Sequence, residues 1–184
     1  MTASDGRQGQ GAGTPVPRSA SSVPAAGLPD YAELRCVSTF SFLVGASQPE
    51  ELVERAHKQG YRALALTDEC SVAGVVRAHV AAKKIGLKLL IGSQFSVAVP
   101  EPSGDDAPGP FSLGVLACNL NGYGNLCEFI TKLRRASEKG TYHLNLGDIA
   151  SDELADCVVV ASPVRGSTDA QLVGLARWLL TNFT

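Results

Sequence analysis

The stretch GYRALALTDECSVAGVVRAHVAAKKIGLKLLIGSQF, residues 60–95, decides the fold. Ala63 to Thr67 is a nearly continuous apolar run, which is typical of a strand buried on both faces of a parallel sheet. The following pattern predicts a helix from about Ser71 to Ile85. Lys88 to Val99 is predicted to be a second strand, with Gly92 as a candidate bulge.

Outward from this stretch, apolar strands and amphipathic helices continue to alternate. The patterns predict strands over Leu34–Val37, Ser112–Cys118 and Cys157–Ala161, and helices from Gln48–Pro49 to Gly60, over Gly122–Ala136 and over Ala170–Phe183. This order, β-α-β-α-β-β-α-β-α, favours an α/β fold with a mainly parallel sheet. Right-handed crossovers would wind it into a barrel or a doubly wound sheet, and periodicity alone does not choose between the two.

Composition predicts one globular domain with a tail in front of it. The chain has 184 residues, of which 45% are hydrophobic and 18% are charged, and its formal net charge is −2. An independent nucleic-acid binder would usually carry a surplus of basic residues, which this composition does not show. Residues 1–29 are rich in Gly, Pro, Ser and Ala and contain no aromatic residue, so we predict a disordered tail. The domain then occupies residues 30–184, with an exposed acidic loop at 101–110.

The cysteines and the absence of targeting segments indicate a cytoplasmic protein. The chain has five cysteines, an odd number, with no CxxC pair, so buried structural thiols in a reducing compartment are expected rather than disulfides. The sequence contains no run of about 18 apolar residues and no apolar core of a signal peptide.

Residues 31–95 resemble the first part of the PHP (polymerase and histidinol phosphatase) domain at the start of bacterial C-family DNA polymerases. The details are closest to the error-prone branch of that family. The resemblance is carried by FSFLVGAS at 40–47, PEELVERA at 49–56, GYRALALTDECSVAGVVRAH at 60–79 and GLKLLIGSQF at 86–95. The segment LACNLNGYGNLCEFITKLRR, residues 116–135, resembles the strand-and-helix unit that follows, so the resemblance covers nearly all of 31–184.

The resemblance implies a distorted barrel of about seven β/α units with metal ions at the carboxyl ends of its strands. Since this chain supplies fewer units, we expect an incomplete PHP-type β/α barrel and an N-terminal fragment of a longer polymerase. An unclosed barrel would leave an apolar strand edge unpaired, and 157–160 is the best candidate. Such an edge recruits other chains, so the isolated chain is expected to self-associate.

The metal motifs of active PHP domains do not survive when they are carried over residue by residue. The first His of a His-x-His pair falls on Arg35, and the second falls on Val37. Asp68 is retained, Glu69 stands in place of a neighbouring His, and Gln94 replaces an acidic residue. Arginine and valine offer no lone pair to a metal, and glutamine offers only a neutral amide oxygen. The resemblance therefore implies a degenerate site, with no catalytic residue and no metal ion.

The Arg35 guanidinium is predicted to replace the lost cations by pairing with the carboxylate of Asp68 or Glu69. The alternative is a solvated arginine at the edge of a loop. Ser41 and Ser47 have no nearby histidine to activate them as nucleophiles.

Other candidate groups have structural explanations. His57 and His79 fall within predicted helices, which leaves His143, in a predicted loop, as the one histidine still considered as a ligand. A basic cluster is predicted to be a solvated helix face rather than a DNA contact; its members are Lys132, Arg134, Arg135 and Lys139.

Three functions remain open. The resemblance implies a non-catalytic structural module of an error-prone polymerase, whose parent uses Mg²⁺ for nucleotidyl transfer in translesion synthesis and DNA repair. Its partners would be the rest of the polymerase chain, DNA through that polymerase, and damage-tolerance accessory proteins, with no membrane. The alternatives are an active metal-dependent PHP phosphoesterase or proofreading nuclease, and a free-standing scaffold. Metal analysis of the purified protein distinguishes the structural module from the active enzyme. The gene sequence after Thr184 distinguishes the structural module from the free-standing scaffold.

Overall fold

A computed structural model describes residues 30–99 and 107–183 as one sheet covered by helices on one side. The predicted tail at 1–29 and most of the predicted acidic loop, residues 101–106, lie outside the described residues. The strands are β1 (Ala32–Cys36), β2 (Ala63–Glu69), β3 (Lys88–Val97), β4 (Phe111–Ala117) and β5 (Cys157–Pro163). The helices are α1 (Pro49–Lys58), α2 (Val75–Ile85), α3 (Leu120–Arg135) and α4 (Asp169–Asn182), with short 3-10 turns at Leu146–Asp148 and Asp152–Leu154.

Helix α2 begins four residues later than the sequence predicts. The backbone N–H of Ser71 donates to Ser93 Oγ over 3.0 Å, and the N–H of Ala73 donates to Ser71 Oγ over 3.1 Å. Serine side chains that bond nearby backbone groups offer the chain an alternative to the helix. The segment before Val75 is therefore a loop at the carboxyl end of β2.

The strands follow one another in the order β1-β2-β3-β4-β5, but the sheet is mixed. The pairs β1–β2 and β2–β3 are parallel, whereas β3–β4 and β4–β5 are antiparallel. The prediction of a mainly parallel sheet is wrong for its second half. After α3, a loop containing both 3-10 turns carries the chain back to the end of β4, so that Cys157 pairs with Ala117 and β5 runs the opposite way.

Gly92 is not a bulge. It pairs regularly with Thr67 on β2 and with Leu116 on β4. A Cβ atom at this position would lie 2.6 Å from Leu116 Cδ2 and 2.6 Å from the Val115 carbonyl oxygen. Glycine is required here because the neighbouring strand fills the space that a side chain would need.

Two apolar clusters hold the helices on the sheet. Leu64 and Leu66 of β2 pack with α1 and α2, whereas Phe95 and Leu113 pack with α3 and α4. The expected α/β fold with an incomplete β/α barrel is confirmed, since the sheet curls into a half barrel. Within the described residues β1 and β5 are the two edges of the sheet, so the predicted edge strand is confirmed as well.

The face of β5 that points away from the helices is apolar and open to solvent. Cys157, Val159 and Ala161 pack against the core, while Val158 is 50% exposed and Val160 is 39% exposed. Successive side chains of a strand point to opposite faces of the sheet. The exposed valines therefore lie on the inner side of the half barrel.

Candidate functional site

Asp68 lies at the carboxyl end of β2, and its carboxylate is almost completely buried, at 1% exposure. It accepts three hydrogen bonds of 2.7 Å each, from the Ser38 backbone N–H, from Ser38 Oγ and from Ser41 Oγ. Ser41 Oγ also accepts the Glu69 N–H over 2.9 Å. Asp68 thus fastens the loop that follows β1 to the end of the neighbouring strand.

This Asp68 pocket leaves no room beside the carboxylate. Ser38 and Ser41 are 0% and 2% exposed. Gly74 closes the third side, since a Cβ there would lie 3.1 Å from Asp68 Oδ2 and 3.0 Å from the Phe40 ring. A buried carboxylate that is surrounded by donors in this way is satisfied without a cation.

Glu69, the next residue, belongs to a second group of side chains, which we call the mouth network. The network consists of Arg35, Glu69, Gln94, Arg134 and Tyr142. Arg35 Nε donates to Gln94 Oε1 over 2.8 Å, and Gln94 Nε2 donates to Glu69 Oε2 over 2.9 Å. The Arg35 guanidinium also reaches Ser112 Oγ over 3.1 Å. A positive charge therefore connects to the Glu69 carboxylate through a neutral amide.

Tyr142 and Arg134 complete the mouth network from the side of α3. The Tyr142 hydroxyl donates to Glu69 Oε1 and accepts the Ser96 N–H over 2.6 Å. Burial, together with the hydrogen bond to Glu69, raises the pKa of Tyr142. Arg134 lies over the Tyr142 ring at 5.6 Å and donates to the Cys70 carbonyl oxygen over 3.2 Å. Cys70 has a φ of 46°, so Arg134 holds a strained residue at the end of β2.

The five predicted site residues are divided between these two groups. Arg35, Glu69 and Gln94 come together in the mouth network, and Asp68 bonds a separate set of partners. Val37 is half-buried just beyond β1. The predicted pairing of Arg35 with a carboxylate is wrong, because its guanidinium bonds Gln94 and Ser112 instead.

The donor set of this site does not fit a metal ion. Asp68 and Glu69 are adjacent on a strand and point to opposite sides, so they cannot both bind one ion. Among the described residues no group of three or more His, Cys, Asp or Glu side chains is placed to hold a metal. All three histidines, His57, His79 and His143, are exposed, the first two on α1 and α2 and the last in the loop after α3.

Sequence reasoning missed Ser38 and Tyr142, and it missed the roles of Ser41 and Arg134. The two serines could have been found, because they follow β1 as Asp68 ends the adjacent parallel strand, and such ends meet at one edge. Arg134 was grouped with a solvated basic face, yet it donates to backbone carbonyls of the β2 end. Tyr142 carries no local pattern, since it lies in the irregular segment after α3.

The remaining sequence predictions have mixed outcomes. All five cysteines are free, but only Cys70 is buried and Cys118 is exposed. The expectation that most of the thiols are buried is therefore wrong. Of the basic cluster, Lys132 pairs with Glu153 as a surface ion pair. No helix in the described part of the chain is long and apolar enough to cross a membrane.

Comparison with known proteins places these features in a family. A family described as "PHP domain" matches residues 33–167. The chain is 52% identical over 162 residues to a protein named "Error-prone DNA polymerase" from Ralstonia nicotianae, and this match covers 83% of the chain. It is 49% identical over 160 residues to a protein of the same name from Dechloromonas aromatica, covering 85% of the chain. Each match spans only 14% of the relative's own length.

Proposed function

This chain belongs to the PHP domain family, and from that premise we propose that it is a non-catalytic structural module of an error-prone DNA polymerase. The observation that carries the proposal is the mouth network. Arg35 and Gln94 stand at two of the positions that would hold metal ligands in active members, and both bond to protein groups instead.

The chemistry of the network supports a structural role. Metal-dependent phosphoester hydrolysis needs several lone pairs that converge on one point and an open position for water. Here Glu69 accepts hydrogen bonds from Gln94, Ser96 and Tyr142, so its oxygens are already engaged. The Arg35 guanidinium occupies the mouth with a permanent positive charge. The network ties β1, β2, β3 and the loop after α3 together.

The proposal extends to the whole protein of which this chain would be a part. The parent polymerase would carry out template-directed nucleotidyl transfer with Mg²⁺, in the cytoplasm, during damage-induced translesion synthesis and DNA repair. The name "Error-prone DNA polymerase" of the relatives supports the polymerase activity in this proposal. The partners would be the rest of the polymerase chain, DNA reached through it, and damage-tolerance accessory proteins.

A metal and hydrolysis assay tests the non-catalytic role. Purified chain, incubated with Zn²⁺ or Mn²⁺ and desalted, should retain no stoichiometric metal by elemental analysis and should release no phosphate from a phosphoester. The triple variant Arg35→His, Val37→His, Gln94→Glu puts donors back and serves as the matched control, in which metal content should rise. If the unaltered chain holds a metal that is lost on changing Asp68 or Glu69, the alternative function, an active phosphoesterase or nuclease, replaces this one.

A fusion tests the structural role. The matching segment of the Ralstonia nicotianae polymerase is exchanged for this chain, and primer extension and thermal unfolding are measured. We expect Arg35→Ala to lower the unfolding temperature of the fusion while the extension rate of the folded enzyme stays unchanged. A variant that loses extension at unchanged stability would contradict the proposal, because Arg35 would then act in the chemistry.

A further inference from the structure

The loop between β1 and α1 presents three consecutive apolar side chains to solvent. Phe42 is 85% exposed, Leu43 is 92% exposed and Val44 is 68% exposed. We call these residues the Phe42–Val44 tip. Scattered exposed apolar residues are ordinary, whereas three large ones in succession form a candidate contact surface.

The base of the tip is bonded to the domain. Ser41, the residue before it, is buried and donates to Asp68, and its carbonyl oxygen accepts the N–H groups of Val44 over 3.0 Å and Gly45 over 2.9 Å. Gly45 closes the turn against Ser38, because a Cβ there would lie 1.9 Å from the Ser38 carbonyl oxygen. These contacts fix the base of the loop, and a fixed base lowers the entropy cost of binding through the tip.

The backbone of the tip is also strained. Leu43 has a φ of 63°, in the left-handed region that leucine adopts only at a cost. Nothing within the described chain covers its side chain, so the strain and the exposure bring the isolated chain no visible benefit. Strained residues cluster at contact and active sites, and here the conformation aims Leu43 away from the domain.

We infer that the Phe42–Val44 tip docks into an apolar pocket of the remaining polymerase chain, and this inference rests on the proposed function. The comparison with the relatives indicates what would cover the tip. The chain spans only 14% of their length, and the rest of the polymerase would lie against this module. The mouth network lies at the same carboxyl ends of the strands and engages its own polar groups. The tip provides the apolar anchor beside that internally satisfied surface.

Side-chain footprinting in the fusion polymerase tests the inference. Hydroxyl radicals oxidise exposed leucines, and Leu120 at the start of α3, 83% exposed, is a matched reference for Leu43. The oxidation rate of each leucine in the native fusion is compared with its rate in urea-unfolded fusion. We expect Leu43 to be protected at least about fivefold, since anchor side chains become almost fully desolvated. Unprotected Leu43 in a folded fusion overturns the inference.

A second experiment uses the backbone strain at Leu43. Asparagine tolerates a positive φ, so Leu43→Asn should leave the unfolding temperature of the isolated chain unchanged or higher. In the fusion the same change should lower the unfolding temperature by at least about 2 °C, while Leu120→Asn should not. An equal effect of Leu43→Asn in both proteins would show that the side chain contributes only to the module itself.

The outcomes separate this inference from the proposed function. If Val158 and Val160 are protected in the fusion but Leu43 is not, the module docks and only the tip inference fails. If neither site is protected, the module does not dock and both fail. If Leu43 becomes protected in the isolated chain as its concentration rises, the occupant is a second copy, which also overturns the inference.

Discussion

Replacing Asp68 by alanine tests whether the Asp68 pocket holds the domain together. The change removes the acceptor of three hydrogen bonds of 2.7 Å at a site that is 1% exposed. A buried donor without a partner costs about 1–3 kcal/mol. The Ser38 N–H cannot turn away, whereas the two serine hydroxyls can find other acceptors, so we expect a total loss of about 3–5 kcal/mol. That is a large part of the ~5–15 kcal/mol by which domains are stable.

Urea unfolding followed by the fluorescence of Trp178, the single tryptophan, measures the loss. Asp68→Asn keeps one acceptor oxygen and should cost less, about 1–2 kcal/mol, because hydrogen bonds to a neutral group are weaker. The control is Glu54→Ala, which removes an exposed ion pair of 3.9 Å to Lys58 and should cost about 0.5 kcal/mol or less. If Asp68→Ala and Glu54→Ala unfold at the same urea concentration, the Asp68 pocket does not stabilise the fold.

Four further outcomes are expected. Val160→Lys should reduce the self-association of the isolated chain in light scattering, because a charge blocks an open strand edge, whereas Val76→Lys on the outside of α2 should not. Cys118 should react with a thiol reagent in the native chain while Cys70 reacts only on unfolding. Burial raises the pKa of Cys70 from 9.0 to about 11, so the native state favours the protonated thiol. The urea concentration at the unfolding midpoint should therefore decrease as the pH rises from 9 to 11, and a midpoint that does not change with pH would contradict this. Tyr142→Phe should cost about 1–2 kcal/mol in urea unfolding, and an unchanged midpoint would show that its hydroxyl contributes nothing.

The elements of the first half were predictable because each rests on local chemistry. The apolar run from Ala63 to Thr67 and the proline-led start of α1 are visible in the sequence, and both are confirmed. The direction of β5 was not predictable in this way. It depends on the irregular segment of residues 136–156, which has no periodicity to indicate that the chain returns to the end of β4 before β5 starts.

The candidate site was likewise predictable in part. The family resemblance named Arg35, Asp68, Glu69 and Gln94, and these positions do lie at the carboxyl ends of neighbouring strands. The hydrogen-bond partners of these residues could not be predicted from the sequence. Arg35 and Gln94 are 59 positions apart in the chain, and only the geometry of the sheet brings them together. The pairing rule for opposite charges predicted a carboxylate for Arg35, but the amide of Gln94 lies between the two charges.

The mixed sheet determines what kind of assembly its two edges can form. The chain direction reverses at β4 and again at β5, so β5 points the same way as β1. When β5 of one copy pairs with β1 of the next, the contact joins unlike surfaces and each addition leaves a fresh β5 exposed. Growth then continues as a filament wherever the rotation between copies does not close a ring. Pairing of β5 with another β5 around a two-fold axis uses up both β5 edges and stops at a dimer when the β1 edges stay unpaired. Covering one of the two edges is therefore enough to turn an unlimited polymer into a particle of fixed size.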